Sequence, residues 1–315
     1  MPDQAKQQQG RVIAWDGVSF RMPANWELAL YKFLKRGVRR IEIEDEYSVR
    51  LEAEWVRPKR KLEVQTVLER YERAAQKLTK KADEKADIEE LPAGWTATRY
   101  VFRKTEPKKK EGGLDVVTEG LVTAFFLPAD AAFFCFMLFH FYPENTENPI
   151  DIARLVVSDF RHRSGSALVK WQLFDIAFEV PREFELENTL FDVGAKLMVF
   201  RWKLRRFHLW HFSCADMFLT EGVVMEEWVT GYLNGFSRLR GPIFYPGPNG
   251  EIKWRRKRRH PFGHRDEITR WCFRYKVRCH HDRAKNQLIA WVFSYRKEED
   301  LKMIPENLRF GKDIV

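Results

Sequence analysis

Gly17-Val18-Ser19-Phe20-Arg21-Met22-Pro23-Ala24-Asn25-Trp26-Glu27-Leu28 decides how this chain is read. It is a short strand, a Pro-led corner, an aromatic residue and the start of a second strand. About 158 residues later it returns as Asp175-Ile176-Ala177-Phe178-Glu179-Val180-Pro181-Arg182-Glu183-Phe184-Glu185-Leu186. Val18 matches Ile176, Phe20 matches Phe178, Pro23 matches Pro181, Trp26 matches Phe184 and Leu28 matches Leu186. Self-similarity at one fixed offset marks an internal duplication.

Outward from the first copy, the pattern is that of half-buried antiparallel strands. Val12 to Pro23 turns at Asp16-Gly17, and Trp26, Leu28 and Leu30 alternate with Glu27 and Ala29. Ile41 and Ile43 oppose Glu42 and Glu44; Val49, Leu51, Ala53 and Trp55 oppose Arg50, Glu52 and Glu54. After Pro58 the period changes. Val64, Val67, Leu68, Tyr71, Ala75 and Leu78 recur at helical spacing, which predicts a helix from Leu62 to about Lys81. The charged run Lys80 to Glu90 is expected to be a solvated helix end and loop. Strands resume at Trp95 to Lys104, Val116 to Leu127 and Ala131 to Tyr142, before a short helix at Ile150 to Phe160.

The second copy opens with Leu173 to Val180, Phe184 to Phe191, Ala195 to Leu204 and Arg206 to Cys214. Val224, Trp228, Tyr232 and Phe236, four apart, predict its helix. Gly241 to Gly250 is expected to be a loop-rich passage. Strands follow at Glu251 to Arg259, Ile268 to Cys279 and Gln287 to Tyr295, then a terminal helix at Glu298 to Ile304.

Composition bounds the rest. A chain of 315 residues suggests two domains, here a tail at 1–11, copies at 12–163 and 170–315, and a linker at 164–169. Hydrophobic residues at 44% and aromatics at 14% provide a core for each. A net charge of +10 favours an acidic partner: nucleic acid, an anionic membrane face or an acidic protein. The polar start, Met1 to Gly10, gives no expectation of a signal peptide. The apolar stretch Leu121 to Tyr142 is cut by Pro128-Ala129-Asp130 into runs too short to span a bilayer as a helix. Cys135, Cys214, Cys272 and Cys279 show no disulfide framework, which suits a reducing compartment and a cytoplasmic location.

Each copy thus runs through four strands, a helix, further strands and a terminal helix. That order, with the opening "GVSFRMPANW" and the closing "ARLVVSDFR", resembles the PsbP-like superfamily. The superfamily includes Ran-binding Mog proteins, photosystem extrinsic subunits and small bacterial effector chaperones. The resemblance implies an α+β fold, two tandem antiparallel sheets each flanked by helices. It also implies a binding protein rather than an enzyme.

The sharpest chemical feature is basic: Lys253, Trp254, Arg255, Arg256, Lys257, Arg258 and Arg259, continued by Arg265. Clustered cations suit phosphate contacts, and Trp254 is read as available for base stacking. A solvated hairpin tip is the plainer reading of the same run. His260, His264, Cys272, Cys279, His280 and His281 tempt a metal reading. Cys272 and Cys279, however, are an odd number of residues apart on an extended strand, and no short Cys-x-x-Cys pair is present. Glu42, Glu44, Asp45, Glu52 and Glu54 face Arg39, Arg40 and Arg50, a neutralised solvent face rather than an acid–base pair. No nucleophile elbow or P-loop occurs. The expectation is a non-enzymatic macromolecule-binding module without catalytic, cofactor or metal residues. It is read as a protein-binding adaptor or chaperone-like protein, a pseudo-dimer within one monomeric chain. Polyanion binding through the basic hairpin at 252–270 is the alternative.

Overall fold

The computed structural model describes residues 10–34, 37–57, 61–107, 114–162, 167–173, 176–239, 241–256 and 273–304, with the side chains of 61–64, 105–107, 114–117 and 173 outside that description. Its contacts divide the chain into two units, Met1–Ser164 with Gln172–Phe174, and Gly165–Trp171 with Asp175–Val315.

The first unit begins with β1 (Arg11–Trp15) and β2 (Val18–Met22), then β3 (Glu27–Phe33), β4 (Arg39–Glu44) and β5 (Val49–Val56). Helix α1 (Lys61–Thr79) precedes β6 (Glu84–Asp87), β7 (Trp95–Pro107), β8 (Leu114–Phe126) and β9 (Phe134–Phe141). Helix α2 (Pro149–Ser158) and β10 (Arg161–His162) close it. The later chain follows the same plan: β11 (Leu168–Leu173), β12 (Ile176–Pro181), β13 (Glu185–Asp192), β14 (Ala195–Trp202) and β15 (Arg205–Ser213). Helix α3 (Met225–Gly235) precedes β16 (Pro242–Pro246), β17 (Ile252–Arg256), β18 (Arg274–Asp282) and β19 (Gln287–Tyr295). A 3-10 helix at Glu298–Met303 takes the place of α2.

Each unit holds a seven-stranded sheet, in the orders β3-β4-β5-β9-β8-β7-β6 and β13-β14-β15-β19-β18-β17-β16. The orders are the same, and each helix falls between the third and fourth strands of its sheet. A finer mark repeats too. The ladder shifts between Leu28 and Leu30 in β3, and between Leu186 and Asn188 in β13. A bulge places an unpaired residue in one strand and re-aims its neighbours, so the two copies share a local irregularity as well as a strand order.

Local chemistry explains the corners. Asp16 (φ 49°) and Gly17 (φ 81°) form the two-residue loop between Trp15 and Val18, where type I′ geometry demands positive φ at both positions. Asn148 caps α2 by accepting from the Ile150 N–H at 2.9 Å, with Pro149 at the first helical position.

In the first unit α1 lays Tyr71 on Phe134 and Phe136, with ring centroids 5.1 and 5.0 Å away. On the other face α2 buries Ala153, Val156 and Val157, and Phe160, just beyond its end, meets Trp95 edge-on. Each fully buried Val contributes about 1.5–3 kcal/mol. In the second unit α3 packs Val229 and Leu233 into a cluster with Trp210, Phe212, Leu288 and Val292. Asn234 exchanges two hydrogen bonds of 2.8 Å with the Phe244 backbone and so fastens α3 to β16.

The α+β expectation is corrected. Among the described residues the fold is mostly antiparallel β, 51% strand and 20% helix, rather than sheets flanked by helices. Three segments depart from the expected elements. Glu84–Asp87, expected as loop, is the edge strand β6. Pro242–Pro246, expected as loop, is the edge strand β16, where a missing N–H need not break a ladder. The expected terminal helix of the second copy is the short 3-10 turn. Helix α1 is also narrower in its contact than its periodicity suggested: Tyr71 and Ala75 are buried, while Leu78 is 54% exposed. Among the described residues, no helix is long and apolar enough to cross a membrane.

Candidate functional site

Strand alternation splits the basic segment. Ile252 and Trp254 turn toward the core cluster of the second unit, while Lys253, Arg255 and Arg256 are exposed. Trp254 meets Tyr275 edge-on, centroids 5.2 Å apart at 72°. Trp254, expected to be available for base stacking, is thus half-buried, packed on Tyr275 and the core cluster and on the opposite side of the strand from Lys253 and Arg255. Lys257, Arg258, Arg259 and Arg265 lie outside the described residues, as do His260, His264 and Cys272.

The neighbouring strand adds cations that the sequence reading passed over. Ile252 pairs with Val277 in the antiparallel ladder. Val277 is buried, so Arg274, Lys276 and Arg278 fall on the opposite face of β18, the face that Lys253 and Arg255 occupy on β17. Arg274 is held by Glu298 at 2.5 Å, and Glu251 stands at the start of the same face. The signal was present in Arg274-Tyr275-Lys276-Val277-Arg278, with cations and apolar residues strictly alternating.

The carboxylate cluster of the first unit is assembled differently from the solvent face expected. Arg40 reaches Glu42 at 2.9 Å, Glu54 at 3.1 Å and also Glu52. His140 Nε2 lies 2.9 Å from Glu52, and the Tyr71 hydroxyl donates to Glu54. Arg50 is 1% exposed; it donates to Asp45 at 2.6 Å, to Glu147 at 3.3 Å and to the His140 carbonyl at 3.2 Å. Its guanidinium sits 5.0 Å from the Trp26 ring centroid.

The electrostatics follow from these contacts. The His140 hydrogen bond, aided by Arg40 and opposed by burial, holds Glu52 below the ordinary carboxylate range. Burial pushes the Arg40 guanidinium down, but Glu52, Glu42 and Glu54 together outweigh it and raise it. Burial and Glu54 push the Tyr71 hydroxyl well above the ordinary phenol range. A general acid needs a carboxyl raised toward neutrality, whereas Glu52 is shifted the other way. The cluster acts as a neutralising network that holds β4, β5, β9 and α1 together. Tyr71 and His140 were missed because only the sheet brings such distant positions together.

Of the remaining groups, burial pushes the Cys279 thiol up to about 11 and raises Cys135 strongly. Among the described residues, no group of three or more His, Cys, Asp or Glu is placed to hold a metal ion. No protein-family model and no curated protein matches the chain.

Proposed function

We propose that this protein is a non-enzymatic macromolecule-binding module, an adaptor that engages another protein through its second unit. One observation carries the reading. Met217 (78% exposed), Val223 (40%) and Val224 (49%) are large apolar side chains left exposed in the segment that leads into α3. In the same segment and on α3, Phe218 stacks on Trp228 at 4.2 Å, and Trp228 on Tyr232 at 5.5 Å, all three packed against the core cluster. Methionine and aromatic residues are enriched at the centres of protein interfaces, and clustered exposed apolar side chains mark such sites more often than isolated ones do. Packing of Phe218 against Trp228 and the core anchors the segment next to Met217, which would limit the ordering cost of association.

The resemblance to PsbP-like binding proteins supports the same reading by analogy. The test is affinity capture from source lysate, with and without nuclease, using the native chain and a Met217→Asp/Val224→Asp variant. The reading expects a protein that the native chain retains after nuclease and the variant loses. Capture that nuclease abolishes, or that the variant leaves intact, overturns it.

A further inference from the structure

The shared strand order lets the two sheets be compared position by position. Phe134, Phe136 and Leu138 face α1 from β9, as Leu288, Ala290 and Val292 face α3 from β19. The intervening residues therefore correspond: Phe139 to Phe293 and Met137 to Trp291. Val122 pairs with Phe139 in the first unit, and Lys276 with Phe293 in the second. Ala124 pairs with Met137, and Arg278 with Trp291. One strand further out, Thr123 pairs with Thr98 as Val277 pairs with Ile252, which matches Val101 to Arg255 and Arg99 to Lys253.

At three of these positions the chemistry is inverted; at the fourth, Arg99 and Lys253, a cation stands in both units. Val122 and Ala124 are 0% exposed and Val101 4%, on the sheet face that α2 covers. Their counterparts Lys276, Arg278 and Arg255 are cationic, and Arg255 and Arg278 are exposed. Where α2 lies over β7, β8 and β9, the corresponding 3-10 helix at Glu298–Met303 packs against β19. Its Asp300 is committed to Arg205 through hydrogen bonds of 2.9 and 3.0 Å. Among the described residues, then, α3 meets β18 from the side of Tyr275 and Val277, while the counterpart of α2 packs on β19, and the opposite face of β17 and β18 is basic.

We propose that this β17–β18 face binds the phosphate backbone of nucleic acid. It would do so by charge and shape, without reading bases. Same-face residues on a strand recur every ~6.6 Å and neighbouring strands lie ~4.8 Å apart. Lys253, Arg255, Lys276 and Arg278 therefore form a compact grid of cations, with Arg278 also engaged within the fold. Arginine adds bidentate geometry suited to phosphate. An acidic protein is the other conceivable occupant. Protein interfaces, however, are built on buried aromatic or apolar anchors ringed by charge, and here Trp254 faces away. Nucleic-acid interfaces are instead strongly positive and polar, which is the composition of this face. The proposal is independent of the exposed apolar side chains around Met217.

The experiment is fluorescence anisotropy of the full chain with a labelled 20-base-pair DNA duplex across 50–200 mM salt. Four phosphate contacts predict a log-affinity slope on log-salt of about −3 to −4, a loss of roughly 100-fold over that range. Arg255→Gln/Lys276→Gln should flatten the slope by about 2. A control, Arg73→Gln/Lys77→Gln on α1, makes the same change in net charge and should leave the slope unaltered. Near-UV circular dichroism verifies folding of each variant, and if the double variant fails to fold, Arg255→Gln alone should flatten the slope by about 1. Three results overturn the proposal: no duplex binding at 50 mM salt, equal losses in the control, or tighter binding of poly-glutamate than of duplex. The last would assign the face to an acidic protein.

Discussion

Arg50 and Asp45 form a pair 2.6 Å apart, with the guanidinium 1% and the carboxylate 7% exposed. Such a pair offsets the cost of desolvation only while both members are present, and removing one leaves an uncompensated buried charge. Arg50→Ala should therefore cost about 3–5 kcal/mol. Arg50→Met, which also vacates the charge but fills the volume, should lose the contacts to Glu147 and His140 while retaining apolar contact with Trp26. Urea unfolding midpoints of the two variants provide the check, with alanine expected to be clearly the weaker.

Acid should unfold the protein through the same carboxylates. Asp45 is held below the ordinary range because its contacts with the Tyr47 N–H, Arg50 and the Ser48 N–H outweigh burial. Asp300 is likewise lowered, since Arg205 and the Lys297 and Arg296 N–H groups outweigh burial. A depressed folded pKa contributes stability that is present above the unfolded value of about 4 and is lost as pH falls through the folded value. Urea midpoints should be flat from pH 8 to about 5 and fall below about 4. In Asp300→Asn the acid decline should be shallower, with lower stability at neutral pH. A steeper acid decline in that variant would contradict the assignment.

Trp254 distinguishes packing from recognition. Trp254→Ala removes a ring that packs on Tyr275, and full burial of such a ring would make the loss about 3–5 kcal/mol. Half-burial places the expected loss nearer ~2 kcal/mol. Trp254→Phe keeps an aromatic ring in place and should lose less. Affinity of the folded Trp254→Phe protein for single-stranded DNA should stay within about two-fold of native, because only an exposed ring stacks on bases. Thermal denaturation and anisotropy on the same samples separate the two effects.

Thiol reactivity should rank by exposure and burial. Cys214 is exposed, Cys135 is buried, and the Cys279 thiol is pushed up to about 11 by burial. The thiolate is the reactive form. At pH 7.5 iodoacetamide should label Cys214 well before Cys279 or Cys135, as read by peptide mass spectrometry. Early labelling of Cys279 would show that its strand opens to solvent.

Much of this was present in the linear sequence because strands and helices impose fixed periods on the residues that must be buried. The matches of Phe20 to Phe178 and Trp26 to Phe184 marked the repeat, and all four are buried. The turn at Asp16-Gly17 and the helical spacing of Val67, Tyr71 and Ala75 were equally local facts. The balance of strand and helix was not local. Glu84–Asp87 carries no strand signature of its own, and the β-favouring Ile243-Phe244-Tyr245 is bracketed by prolines that read as loop; both become strands by pairing at a sheet edge, where a neighbour supplies their hydrogen bonds. The basic run was legible as composition, but its faces were not. Pairing with Tyr275 turned Trp254 inward, and pairing of Ile252 with Val277 brought Lys276 and Arg278 beside Lys253 and Arg255. Sequence fixes which residues alternate, whereas strand register and the presence of a covering helix decide which side meets solvent.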